Sequence, residues 1–473
     1  MASYCGKCGA VLRDGSTFCG ACGTPASKKA PSGSQPVATP PTPQRTGGRN
    51  ARVVAVIAIV VLVALLGVGG YYGYTILLKR QSIASESVLE EEPAVDEAPA
   101  FDPTSGHIVH LKKADAPAAS GENVFTVSVC KPDGSDAKDV GEVPWSNGVR
   151  LLASWNSPYL ASWANSMTSK ETAELTLLNL ETGAKVTVES INVSKPDFSG
   201  FGSWDVGAVG DWQFSPKGDT LYYTVYGQRG GTSAGELVKS ELKKYEIATG
   251  KTTVLSTFAS DQPRDACTVV EKILCVAPDN SRLAISTSTT QKGSNSAQNG
   301  TTVLGTDGSN PATAPSAMVG VPTMFAADAS RLFLGALGRL RQGDNQVDVT
   351  TDNTLSNSQK IDWMPEAAGE LKPLYDGAML LGNVDGKLTT YRLTGGVLEE
   401  AETLSVPSGQ DYGAGRLGSP IYDFLLGFHP SGQGTAYVAR GLDTPELHVL
   451  TADGDERITN NMVEELDAQW CSW

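Results

Sequence analysis

Four cysteines near the start of the chain carry its clearest chemistry. Cys5-x2-Cys8 and Cys19-x2-Cys22 are matched pairs with ten residues between them. Each pair makes a tight turn that aims two thiolates at one point. Gly9 and Gly23 follow, where backbone amides must turn toward the sulfurs. Four thiolates complete a tetrahedral shell, so the site is structural and keeps no open position for a substrate. Soft sulfur donors select zinc, with iron as the competitor.

The segment Tyr4–Pro25 resembles the short zinc-ribbon family, in which C-x2-C-G, an apolar residue, a polar turn, an aromatic and a second C-x2-C-G recur. The resemblance implies a miniature core of Val11, Leu12 and Phe18 that unfolds without metal. It also implies a structural or partner-binding role. Only Lys7 and Arg13 are basic within it, so no nucleic-acid partner is expected.

No other residue set specifies a reaction. Gly231-Thr-Ser-Ala-Gly235 matches the nucleophile-elbow pattern, but that pattern works at a strand-to-helix turn, and here it falls between two strands as a hairpin tip. His107, His110, His429 and His448 lack metal-ligand spacing and read as surface or turn residues. Asp133 with Asp136, and Asp453 with Asp455, lack the full spacing of a calcium loop and read as turn residues.

Two stretches mix aromatics with glycine. Asp197–Gly207 carries Phe198, Phe201 and Trp204, and Gln410–Tyr422 carries Tyr412, Arg416 and Tyr422. Rings on such loops stack on sugars or grip peptides, although packing uses the same residue types. These six residues form the candidate ligand loop.

The elements that position this chemistry are set by Val53–Leu78, twenty-six residues without a charge. As a helix it spans about 39 Å, more than the hydrocarbon core of a bilayer. It starts too late and runs too long for a cleaved signal peptide. Lys28, Lys29, Arg45, Arg49 and Arg52 precede it, while Glu86, Glu90, Glu91 and Glu92 follow closely behind Lys79 and Arg80. The positive-inside rule therefore expects a single-pass cell-membrane protein with a cytoplasmic N-terminus and an extracytoplasmic C-terminal domain. Gly69-x-x-x-Gly73 is a candidate dimerisation face.

Charge follows the same division. Up to Leu78, seven Lys/Arg stand against Asp14; beyond it, thirty Lys/Arg stand against fifty-one acids, a net of −21. So acidic a region excludes nucleic acid and anionic lipid as partners. Residues 1–25 are read as the zinc ribbon and 26–52 as a disordered cytoplasmic linker. The span is 53–78, and 79–106 are an acidic disordered stalk.

From 107 to 473 short β-rich runs alternate with turn signals. Trp212–Tyr223, Cys275–Ile285, Phe325–Leu334 and Phe428–Val438 each read as a strand, a Pro/Asp/Gly turn and a strand. A second hairpin signature follows at 175–185, 242–252, 388–397 and 447–456. Their interval of about 50 residues is near that of four-stranded propeller blades. The texture resembles the WD40-like blades of the Tol-system periplasmic propeller and of the prolyl oligopeptidase propeller domain. That resemblance implies a mostly β fold with a six- or seven-bladed β-propeller; a pair of β-sandwiches is the alternative that strand alternation leaves open. Residues 286–322 and 338–372 fit no blade cleanly.

Ring closure pairs the two ends of a propeller in one blade. Cys130 and Cys471 are therefore candidates for a disulfide across the closure, and Cys267 and Cys275 for one across a hairpin. Taken together, the sequence is read as a membrane-anchored, non-enzymatic binding or sensing protein for an envelope polymer or protein. Its alternatives are an envelope hydrolase or lyase on a propeller scaffold, or a passive scaffold.

Overall fold

A computed structural model describes residues 3–4, 11–12, 102–114, 123–145, 151–165, 172–192, 197–198, 202–203, 206–228, 238–259, 266–291, 297–315, 318, 320–336, 338–364, 369–374, 379–384, 387–394, 396–405, 427–429, 431–439, 445–460 and 465–473. The chain divides into two units, Met1–Ala94 and Val95–Trp473. In the first, Ser3–Tyr4 pairs antiparallel with Val11–Leu12, Tyr4 opposite Val11. The expected membrane span, 53–78, lies outside the described residues, as do the linker and most of the stalk. Among the described residues no helix is long and apolar enough to cross a membrane.

The second unit is built from seven antiparallel sheets, the blades of a propeller. Blade 3 shows the plan: Val206–Phe214, Thr220–Gln228, Val238–Glu246 and Lys251–Ala259 pair in chain order, inner to outer. Both faces of each blade are covered by its neighbours. Its second strand is therefore a near-continuous apolar run, Leu221–Val225, instead of a clean alternation. Leu221, Tyr223 and Val225 pack with Ala161, Leu175 and Leu177 of blade 2, whereas Tyr222 packs with Leu274, Leu283 and Ile285 of blade 4.

Such apolar clusters run round the whole ring. One joins blades 4, 5 and 6 through Cys275, Phe333 and Leu371, another blades 6 and 7 through Leu381 and Phe428. The ring closes in blade 1. There the last strand, Glu465–Cys471, lies innermost, paired with His107–Lys113, which pairs in turn with Asn123–Cys130 and Lys138–Trp145. Trp470 and Ile108, directly opposite each other, fill the junction with blade 7 beside Val438 and Leu447. Gly106 enters this seam with φ +78°, and a Cβ there would run into the Cys471 carbonyl.

The expected closure is present, without its disulfide. Cys130, Cys275 and Cys471 are buried thiols. Cys130 and Cys471 lie on strands separated by His107–Lys113, two strand spacings or about 10 Å apart, beyond what a disulfide reaches. They also belong to opposite faces of the sheet, Cys130 toward blade 7 and Cys471 toward blade 2. The second expected bridge fails for a different reason. Cys267 and Cys275 share one strand, Ala266–Val276, and stand opposite Thr290 and Ala284, roughly 20 Å apart along the sheet.

The four strand–turn–strand repeats are the inner hairpins of blades 3, 4, 5 and 7, and the second signature supplies the outer hairpins of blades 2, 3, 6 and 7. These turns share one end of the ring, the turn end. Many have the pattern Asp-x-Ser/Thr, with the carboxylate accepting the backbone N–H two residues on. Asp133–Ser135, Asp279–Ser281, Asp307–Ser309, Asp328–Ser330 and Asp352–Thr354 all do so. The middle residue is left-handed, at φ +57° in Asn280, +56° in Ala329 and +67° in Asn353.

Neighbouring blades are fastened at this end. Tyr222 donates to Asn280 Oδ1, Arg282 to the Ala329 carbonyl, Ser157 to the Gly218 carbonyl and Thr390 to the Gly432 carbonyl.

Residues 338–372 fitted no blade because they serve two. Between the second and third strands of blade 5, the chain leaves to form the short strand Leu340–Arg341. This adds to the inner edge of blade 6, opposite Leu371 and Glu370. Residues 286–313 belong to blade 4, whose first three strands run to nine to eleven residues, and Val321 begins blade 5.

Candidate functional site

Strand direction alternates within a blade, so the connections between second and third strands, and those from one blade to the next, share the end opposite the turns. Both aromatic stretches are blade-to-blade connections at this loop end. Residues 193–205 join Lys185–Asn192 of blade 2 to Val206–Phe214 of blade 3; residues 405–426 join Val397–Leu404 of blade 6 to Gly427–Phe428 of blade 7. The first contains a miniature hairpin, Asp197–Phe198 against Gly202–Ser203. Phe198 is on its first strand. Phe201, Trp204, Tyr412, Arg416 and Tyr422 lie outside the described residues, as does Gly231–Gly235, which connects two strands of blade 3.

The added strand Leu340–Arg341 also stands at the loop end, on the channel side of blade 6. Leu340 is fully buried in the cluster shared with blade 5. Alternation turns Arg341, and with it Arg339, to the opposite face. There both guanidiniums meet the Glu370 carboxylate, Arg339 at 2.8 Å. Sequence reading missed this group because its members are some thirty residues apart and meet only through the added strand.

A second charged group lies between blades 2 and 3. Glu189 Oε2 accepts the Tyr223 hydroxyl at 2.8 Å and Lys243 Nζ at 3.0 Å, and Lys243 also lies 3.5 Å from Glu241. Burial, then the neighbouring Glu189 charge, pushes the Tyr223 phenol well above its ordinary value, so it stays protonated and donates. Two carboxylates, an ammonium and a phenol in mutual reach are groups able to take and give protons.

The histidines do not fit one description. His429 occupies a turn, where its Nδ1 accepts the Ser431 N–H, and burial lowers its pKa to about 4. His107 stacks on Trp473 with ring centroids 4.2 Å apart. His110 and His448 are buried, contrary to the surface reading. His448 faces Asp455, which also accepts the Tyr437 hydroxyl at 2.8 Å. Alternating strand residues reach an interior whenever both sheet faces are covered. Asp133 and Asp453 do sit in turns.

The zinc ligands Cys5, Cys8, Cys19 and Cys22 lie outside the described residues. The Ser3–Tyr4/Val11–Leu12 hairpin nevertheless brackets residues 5–10, which hold the first cysteine pair. A hairpin closed around C-x2-C fits the donor set of a tetrahedral thiolate site. Among the described residues no other cluster of His, Cys, Asp and Glu is arranged for a metal.

Residues 4–26 match the zinc-ribbon domain family. A sequence search of curated proteins finds no match. Among solved structures, the chain is similar to an oligogalacturonate lyase from Vibrio parahaemolyticus, at 13% identity over 74% of this chain and 92% of that one, TM-score 0.43. It is also similar to the β-propeller domain of the Trilobed protease from Pyrococcus furiosus, at 10% identity over 76% and 93%, TM-score 0.40. A third is a Pyrococcus horikoshii acylaminoacyl peptidase, at 12% identity over 75% of this chain and 50% of that one, TM-score 0.40. These likenesses concern the fold, and the blade count rests on the sheets described above. The fold does not support the sequence reading of the chain as non-enzymatic, since proteins of similar fold include a lyase and a peptidase.

Proposed function

We propose that the protein is anchored in a cell membrane by residues 53–78 and that its propeller recognises an extended envelope polymer or peptide at the loop end. One observation carries this reading. Both glycine–aromatic connections and the arginine-bearing strand of blade 6 belong to the same end of the ring, while the opposite end is given over to short turns that fasten blade to blade. Rigid scaffolds place recognition on the connections that are free to vary. On the other side of the membrane the ribbon binds one zinc through Cys5, Cys8, Cys19 and Cys22 and presents a folded knuckle to a protein partner.

The test uses full-length protein reconstituted in nanodiscs and offered to purified envelope polymers. Retention of at least one polymer, lost on replacing Trp204 and Tyr412 by alanine without loss of folding, is the expected result. A chain that retains none of them does not recognise a polymer.

The charged group between blades 2 and 3 favours a second reading, in which the bound polymer is also cleaved by a hydrolase or lyase activity. Glu189 and Lys243 supply the proton transfers either reaction needs, with the Tyr223 hydroxyl orienting Glu189. New reducing ends alone would mark hydrolysis; unsaturated ends absorbing in the ultraviolet would mark elimination. Neither appearing over extended incubation would exclude both.

A further inference from the structure

The inner rim of blade 6 gathers basic side chains on one face. Glu370 begins the strand Glu370–Pro373, with Arg341 directly opposite it on the added strand. Lys372, two residues on, shares its face and stands opposite Leu381. Leu381 packs with Phe428 and Tyr437, so this face turns toward blade 7. Leu340 and Leu371, on the other face, pack with Phe333 and Leu334 of blade 5. Arg339, Arg341 and Lys372 are therefore gathered on one face, where both guanidiniums meet the Glu370 carboxylate. Asp344, the remaining acid of the added segment, accepts the backbone N–H of Arg341.

Three further features suit this rim to a ligand. The added strand is pinned by a fully buried leucine, so the guanidiniums are held on a rigid support. Glu370 orients both of them, which lowers the entropy lost when either grips a partner. Arg341 is nonetheless 48% exposed, open to the loop end. In a region of net charge −21, an anionic polymer is repelled nearly everywhere else.

We propose that Arg341, supported by Arg339 and Lys372, is the binding site for an anionic group, a carboxylate or a phosphate, on the polymer held at the loop end. This inference rests on the polymer-binding reading above and adds the charge class of its ligand. Arg341 forms the forked hydrogen bonds, and Glu370 is a positioning residue.

The test measures binding of full-length protein in nanodiscs to a polyuronate, a poly(glycerol phosphate) and neutral dextran. Tighter binding of at least one anionic polymer than of dextran is expected, weakening as salt is added. Arg341→Ala should weaken that binding at least tenfold and leave dextran unchanged. Arg341→Lys should recover only part of it, since an ammonium cannot make the fork. Arg331→Ala, which breaks an ion pair with Asp348 away from this rim, should bind as the parent does. Which anionic polymer responds distinguishes a carboxylate ligand from a phosphate. Equal binding by parent and Arg341→Ala overturns the site. Binding of dextran without either anionic polymer overturns the site but leaves the polymer reading standing, whereas binding of none overturns both.

Discussion

The two ends of the ring are built on different principles. At the turn end the connections are short, and five of those described share one chemistry, an Asp carboxylate capping the amide two residues on around a left-handed middle residue. They hydrogen-bond to the adjacent blade as regularly as they cap themselves. At the loop end the connections differ in length from blade to blade, and one leaves its own sheet to complete another. The first end is uniform because it holds the ring together. The second varies because the fold is already secured, which leaves its residues available for recognition.

The strongest way to break this contrast is at the seam. Trp470 is fully buried, and its Nε1 donates to the Ser105 carbonyl at 3.0 Å. Trp470→Ala should cost about 3–5 kcal/mol, read as a lowered denaturant midpoint; a change under about 1 kcal/mol would mean that closure contributes little. Next comes the group between blades 2 and 3. Lys243→Met removes the ammonium that Glu189 and Glu241 share and should cost about 3 kcal/mol. Adding Glu189→Leu should restore part of it, and a double variant no better than the single would show that the ammonium is not what the two acids need.

A smaller effect is expected at Asn280, whose left-handed backbone and bond from Tyr222 both serve the turn end. Asn280→Ala should cost about 1–2 kcal/mol, and Asn280→Gly less. Equal losses would assign the whole effect to the hydrogen bond.

Acid should also act on this end. Burial holds the folded pKa of His429 near 4, whereas an unfolded histidine takes its proton near 6.5. The unfolded state therefore binds more protons between these values, and stability falls as pH drops from 6.5 toward 4. His429→Gln should flatten that part of the profile. Below it, Asp133, Asp307 and Asp352 contribute further. Hydrogen bonds from Ser135, Ser309 and Thr350 hold them below the usual carboxylate range, so their stabilisation is lost as pH falls through their folded values. An unchanged melting temperature from pH 7 to pH 4 would contradict this. Least of all should change on replacing Phe201 and Trp204 by alanine, with stability moving by about 0.5 kcal/mol or less while ligand binding falls. Unfolding instead would make those rings packing residues and erase the contrast between the ends.

What could be read beforehand follows the same division. Turn chemistry is local, so Asp279-Asn-Ser281 and Asp328-Ala-Ser330 announced their hairpins in a few letters, and the strands flanking them placed four blades. The strand Leu340–Arg341 could not be read, because two residues have no period and its partner Glu370–Leu371 lies thirty residues on. The same holds for Glu189 with Lys243, brought together only when blade 2 meets blade 3. The disulfide expectation failed at the level of register. Assigning Cys130 and Cys471 to one blade was correct, but a strand stands between them.

The innermost strand of blade 1, Glu465–Cys471, follows every other described strand in the chain. His107 and Trp473, which stack across the seam, are separated by 366 positions in the chain. A growing polypeptide must therefore carry an open spiral with a bare sheet edge until Glu465–Cys471 leaves the ribosome. Such edges invite pairing with foreign strands. Deleting Glu465–Cys471 would leave that edge unsealed, and the product would be a substrate for chaperones and proteases instead of a working ring.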